Sequence, residues 1–138
     1  MDGRRRGTAP LLPPSSARLG VTVRACVLPY RDLDASVTFY RDVLGWEVRV
    51  RAGSGTERWV EVGPSAPLAT SVVLVPFAEA GGDSGVIYLS TEDGVDIVFA
   101  AVLTTDAEVV QEPTDQPWGV RDFVLRDPAG NTIRIQQR

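Results

Sequence analysis

From Val21 to Pro29 apolar and polar side chains alternate with the two-residue period of a strand, and then the spacing changes. Over residues 32–45, Leu33, Val37, Tyr40 and Leu44 fall on one helical stripe, with Asp32 or Asp34 suited to the start and Gly45 to the end. Three strand-like pieces follow at 46–51, 57–62 and 70–77, divided by Gly53-Ser54-Gly55 and Gly63-Pro64-Ser65. The same order restarts at Gly85: a strand to 91, a helix over about 94–103, and strands near 107–112, 120–125 and 132–136. The pattern predicts an α+β fold of two βαβββ repeats, 21–78 and 85–138, in which Ala25 lies over Ile87 at an offset of 62 and Trp59 over Phe123 at 64. Repeats this short cannot bury both faces of a sheet alone, so the expected architecture is an incomplete eight-stranded barrel around a shared cleft, where a ligand would sit.

Composition narrows the chemistry. The 138 residues, 43% of them hydrophobic, suffice for one domain with a core. There is no histidine and no lysine, so all 14 basic residues are arginine. This excludes Ser-His-Asp or Cys-His nucleophiles, His-bearing zinc or iron sites, lysine Schiff bases and a P-loop lysine. The net charge is -4, and no basic residue stands between Arg58 and Arg121. That acidic stretch repels phosphate, and nothing outside the Arg-rich leader (Arg4, Arg5, Arg6, Arg18) resembles a basic footprint, so no nucleic-acid partner is expected. Cys26, the single cysteine, lies in an apolar run and is expected to be a buried small hydrophobe outside any intramolecular disulfide. Residues 1–20 are expected to form a disordered leader, with no signal-peptide core. No run is long enough to span a membrane, so a cytoplasmic protein with no membrane partner is predicted.

Three motifs then stand out: Leu28-Pro29-Tyr30-Arg31-Asp32-Leu33 leading into Phe39-Tyr40-Arg41-Asp42-Val43-Leu44-Gly45; Pro117-Trp118-Gly119-Val120-Arg121-Asp122-Phe123; and Asp127-Pro128-Ala129-Gly130-Asn131-Thr132-Ile133-Arg134. Together with the internal duplication, they make residues 21–138 resemble the vicinal oxygen chelate superfamily of glyoxalase I, extradiol dioxygenases and bleomycin-resistance proteins. The Trp118 segment is most similar to the bleomycin-resistance branch. Taken alone, the first and last motifs are a helix docked on a sheet and a turn.

The resemblance implies metal ligands on the first and last strand of each repeat. The matching positions here are Ala25, Ile87, a place within residues 71–75 that has no carboxylate, and Arg134. A guanidinium has no lone pair to give a cation, so neither a metal nor another cofactor is expected. Trp118 and Trp59 are candidate stacking residues for a ligand. Arg134 either binds an anionic oxygen or pairs with an acidic residue of the cleft wall. The leading expectation is a metal-free, homodimeric small-molecule binding protein that sequesters an antibiotic. The alternative is a metal-independent lyase or isomerase acting on a small metabolite, with Arg134 as oxyanion partner and Glu61 as base. A third reading is an accessory subunit with a filled cleft.

Overall fold

The computed structural model describes residues 20–55, 58–66, 69–79 and 82–137. Residues 1–19 of the expected leader lie outside them, as does Glu57, the first residue of one expected strand. The elements follow the expected order: β1 (Ala25–Tyr30), α1 (Leu33–Asp42), β2 (Glu47–Ala52), β3 (Trp59–Gly63), β4 (Ser71–Pro76), β5 (Val86–Thr91), α2 (Val95–Val102), β6 (Glu108–Asp115), β7 (Arg121–Arg126) and β8 (Thr132–Gln137). Asp32 starts α1 from an extended conformation by accepting the Ala35 N–H at 3.2 Å. The helix buries Leu33, Val37 and Tyr40 of the stripe, with Phe39 and Ser36 beside them. α2 follows Gly94, whose φ of +87° suits only glycine, and no side chain of its own first turn caps it. Gln137 supplies the missing acceptor, taking the Val95 N–H at 3.0 Å.

Each repeat forms its own four-stranded sheet, in the orders β1-β4-β3-β2 and β5-β8-β7-β6. The β1–β4 and β5–β8 pairs are parallel and the others antiparallel. Among the described residues no strand pair joins the two sheets, so the barrel of the expected fold is two open sheets rather than a closed ring. They share one core, in which Tyr40, Val60, Val62 and Leu74 meet Phe123, Leu125 and Ile133.

Strand registers correct the superposition of the repeats. β1 opens at Ala25 and β5 at Val86, while β4 opens at Ser71 and β8 at Thr132; both differences are 61. The offset of 62 matched Ala25 with Ile87, which lie on opposite sides of their sheets. Ile87 pairs with the fully buried Ile133 and packs into the core, whereas Ala25 pairs with Ser71, whose hydroxyl reaches Glu61. An odd offset preserves strand alternation and an even one inverts it.

The turn after β7 fastens the halves together. Asp127 Oδ1 accepts the N–H groups of Ala129 and Asn131, each at 2.9 Å, and Gly130 takes a φ of +86°. Its Oδ2 accepts Tyr40 Oη–H at 2.7 Å and Asn131 Nδ2–H at 2.8 Å. Asn131 Nδ2 also donates to the Pro29 carbonyl at 2.9 Å, and its Oδ1 accepts the Gly85 N–H at 2.7 Å. One buried turn thus bonds to β1, to α1 and to the entry of β5. Burial, reinforced by the charge and hydrogen bond of Asp127, drives the Tyr40 phenol far above its ordinary pKa.

Cys26 departs from expectation: it is exposed. α1 packs over β2 and β3 and leaves β1 uncovered. The far end of β1 is sealed by the second half, where Leu28 sits so close to Gly85 that an added Cβ would lie 2.5 Å from Leu28 Cδ2. Cys26, at the near end, lines instead a crevice of about 630 Å³ between the halves, with Trp46, Ile87, Tyr88 and Ile135.

Candidate functional site

Each sheet has one face under its helix and one turned away, and strand alternation decides what the second face carries. On the first sheet Val27, Val73, Glu61 and Val50 form a row across the strands. On the second the row is Tyr88, Arg134, Val124 and Gln111, with Ser90, Gln136 and Asp122 in the row beside it.

The polar centre of the second face is an ion pair. Arg134 Nη1 donates to Asp122 Oδ2 at 2.6 Å. The other oxygen, Oδ1, accepts Gln116 Nε2–H at 2.8 Å and Gln111 Nε2–H at 3.0 Å. The Asp122 side chain is 1% exposed and that of Arg134 is 23%. Burial works to raise the Asp122 pKa, but the hydrogen bonds from Gln116, Arg134 and Gln111, with the Arg134 charge, outweigh it and hold the carboxyl below its usual range. Tyr88, 67% exposed, stands in register with Arg134, whose Cζ is 5.9 Å from the ring centroid.

The first face carries a second buried carboxylate. Glu61 accepts Ser71 Oγ–H at 2.7 Å and receives Arg24 Nη1 at 3.1 Å on both oxygens. The Ser71 hydrogen bond, acting against burial and aided by Arg24 and Arg49, lowers its pKa. Glu61, the base of the lyase or isomerase reading, is thus already paired with a hydroxyl and a guanidinium.

Trp59 starts β3 on the first sheet and is partly buried; Arg134 lies on the second sheet. Trp118 is 66% exposed in the turn between β6 and β7, which Gln116 closes through the hydrogen bonds Gln116 N–H to Val120 O and Gly119 N–H to Gln116 O. The walls of the crevice between the halves include none of these three. Gln116 couples two of them, since its backbone shapes the Trp118 turn while its side chain holds the partner of Arg134. Sequence reasoning missed Asp122, Gln111 and Tyr88. The Asp127–Asn131 turn sets the β7–β8 register, which places Asp122 diagonally across from Arg134, so hairpin geometry was the available signal.

A divalent cation does not fit here. On the uncovered faces of the parallel strand pairs, Val27 stands opposite Val73 and Tyr88 opposite Arg134, which offers a fixed positive charge and no carboxylate or imidazole. Among the described residues no cluster of three or more His, Cys, Asp or Glu is placed to hold a metal.

Residues 22–135 match the family model of the Glyoxalase/Bleomycin resistance protein/Dioxygenase superfamily. A member of that superfamily from Sphaerobacter thermophilus DSM 20745 is similar at a TM-score of 0.74 and 25% identity, over 86% of this chain and 98% of the other. TnmS3, an antibiotic binding protein from Streptomyces sp. CB03234, is similar at 0.71 and 28%, over 85% and 95%. A lactoylglutathione lyase from Agrobacterium tumefaciens shares the fold at 0.69, with 22% identity over 91% and 95%. No curated protein matches the chain. The fold is therefore shared with both binding proteins and an enzyme. No helix of the described residues is long and apolar enough to cross a membrane.

Proposed function

The chain belongs to the Glyoxalase/Bleomycin resistance protein/Dioxygenase superfamily, and we propose that within it this protein is a cytoplasmic small-molecule binder that sequesters a bulky aromatic compound of antibiotic type without using a metal. The observation that carries this reading is the uncovered row in which the exposed Tyr88 stands in register with Arg134, the position where the resemblance implies a metal ligand, with Arg134 already paired to Asp122. A ring can stack on such a surface, but a cation gains nothing from it. The similarity to TnmS3, an antibiotic binding protein, supports the ligand class.

Arg134, Trp118 and Trp59 are the residues assigned to the ligand, Trp118 as an exposed aromatic plate on a closed turn and Trp59 as a flank on the first sheet. The working unit is a homodimer. Val27, Val50 and Val86 are exposed apolar side chains on the uncovered faces, and the edge strands β1, β2, β5 and β6 leave backbone groups free to meet a second copy. Calorimetry and native mass spectrometry against a panel of planar and cationic natural products test the reading. Saturable binding at one ligand per chain, unaffected by chelator, is expected; failure against the whole panel, or binding only after a divalent metal is added, overturns it.

A further inference from the structure

The Arg134–Asp122 pair leaves part of the guanidinium unused. Nη1 is committed to Asp122, and among the described residues Nε and Nη2 have no hydrogen-bond partner. The side chain is nevertheless only 23% exposed, so these donors are held in place rather than freely solvated. What holds them is buried: Asp122 is fixed from its other side by Gln111 and Gln116, so the carboxylate cannot turn away from the arginine. Next to this fixed fork, on the neighbouring strand and in register, stands the exposed Tyr88 ring.

Resting on the binding function proposed above, we infer that Arg134 is an oxygen clamp: its unpaired N–H groups take an acceptor oxygen carried on an aromatic ring that stacks beside Tyr88, with Asp122, Gln111 and Gln116 as the positioning residues. The ligand class is then an aromatic carboxylate, phenolate or ketone rather than an aromatic cation. The acidic stretch of the chain does not reverse this preference at the site. Asp122 is spent on Arg134, and Glu108 and Asp115 of β6 pair with Arg126 and Arg121. A planar guanidinium offers an in-plane oxygen two charge-assisted hydrogen bonds, whereas an ammonium, which only donates, finds no acceptor on those N–H groups.

Three probes of one ring and different heads separate the possibilities: 2-naphthoate, 2-acetonaphthone and 2-naphthylmethylammonium, titrated into the full chain by calorimetry. The carboxylate is expected to bind best, the ketone next and the ammonium at least about tenfold more weakly than the carboxylate. Arg134→Lys keeps a charge beside Asp122 but loses the fork, and is expected to cost about tenfold for 2-naphthoate with little change for the ammonium probe. Asp122→Asn frees the arginine and is expected to cost less, about threefold. In the unmutated protein, the Arg134 Nε–H resonance should move with 2-naphthoate and stay fixed with the ammonium, a readout that does not depend on any variant folding. If members of the wider panel bind but the ammonium probe holds as tightly as the carboxylate, or the Arg134 resonance does not move, the clamp is overturned and the binding function stands. If none of the three probes binds, the clamp is overturned, and failure of the wider panel as well removes both.

Discussion

Tyr40 Oη donates to Asp127 Oδ2 at 2.7 Å across 87 residues of sequence, inside the shared core. The bond joins the helix of the first repeat to a turn of the second, and Asp127 takes three further donors from Ala129 and Asn131. Tyr40→Phe leaves that carboxylate with the other three, so a loss of about 1–2 kcal/mol is expected in urea unfolding. Asn131→Ala removes the tie to Pro29 and the acceptor for the Gly85 N–H together, and should cost more than Tyr40→Phe. Equal or inverted costs would remove this turn as the fastening between the halves.

Arg134→Met should destabilise the fold although it adds apolar surface. It leaves Asp122, whose side chain is 1% exposed, with only two glutamine amides for its charge. About 2–3 kcal/mol is expected, and the double variant Arg134→Met, Asp122→Leu should recover a large part of it. A single variant as stable as the unmodified chain would mean that Asp122 does not depend on the arginine.

Acid should weaken the protein through two carboxylates. Both Asp122 and Glu61 have folded pKa values below their ordinary 3.8 and 4.5, so each contributes stability above its ordinary value that is lost as pH falls through the lowered one. Thermal melts should therefore hold steady down to the ordinary values and fall below them. Asp122→Asn should melt lower at neutral pH and show a shallower decline in acid. A variant that keeps the full acid slope would assign the loss to other groups.

Cys26 should react without unfolding. Its exposure in the crevice predicts one iodoacetamide adduct on the native chain, at a rate within about tenfold of that of the denatured chain. Labelling only in denaturant would return it to the interior. If an aromatic ligand slows the labelling, the crevice and the uncovered face communicate.

The elements were legible because their signals are local. The Leu33, Val37, Tyr40 stripe and the Asp32 cap need only neighbouring residues, and α1 follows them closely. What failed required knowing which way a strand faces. Leu28 and Cys26 have similarly apolar neighbours, yet one is sealed by Gly85 of the other repeat and the other is not, a difference set by a contact 57 residues away in sequence. The alignment of repeats erred by a single residue, and in a strand that error exchanges the two faces. An offset of 61 gives Ala25 the partner Val86 instead of Ile87, and it is Tyr88 that stands in register with Arg134. Arg134 itself was legible as an anomaly, since a charge between Ile133 and Ile135 must find a partner. Its partner Asp122 was not legible, because it lies beyond the long acidic stretch that ends before Arg121 and reaches Arg134 only through the β7–β8 register.

The single core and the one buried turn also bear on how the protein comes apart. Melting of either repeat strips Asp127 and Asn131 of partners in the other, and exposes the side of Phe123 and Ile133 that the first repeat covers. Neither repeat has an independent unfolding transition to offer. A duplicated chain of this construction should lose its slowest-exchanging amides in β4 and β8 together, in one cooperative event.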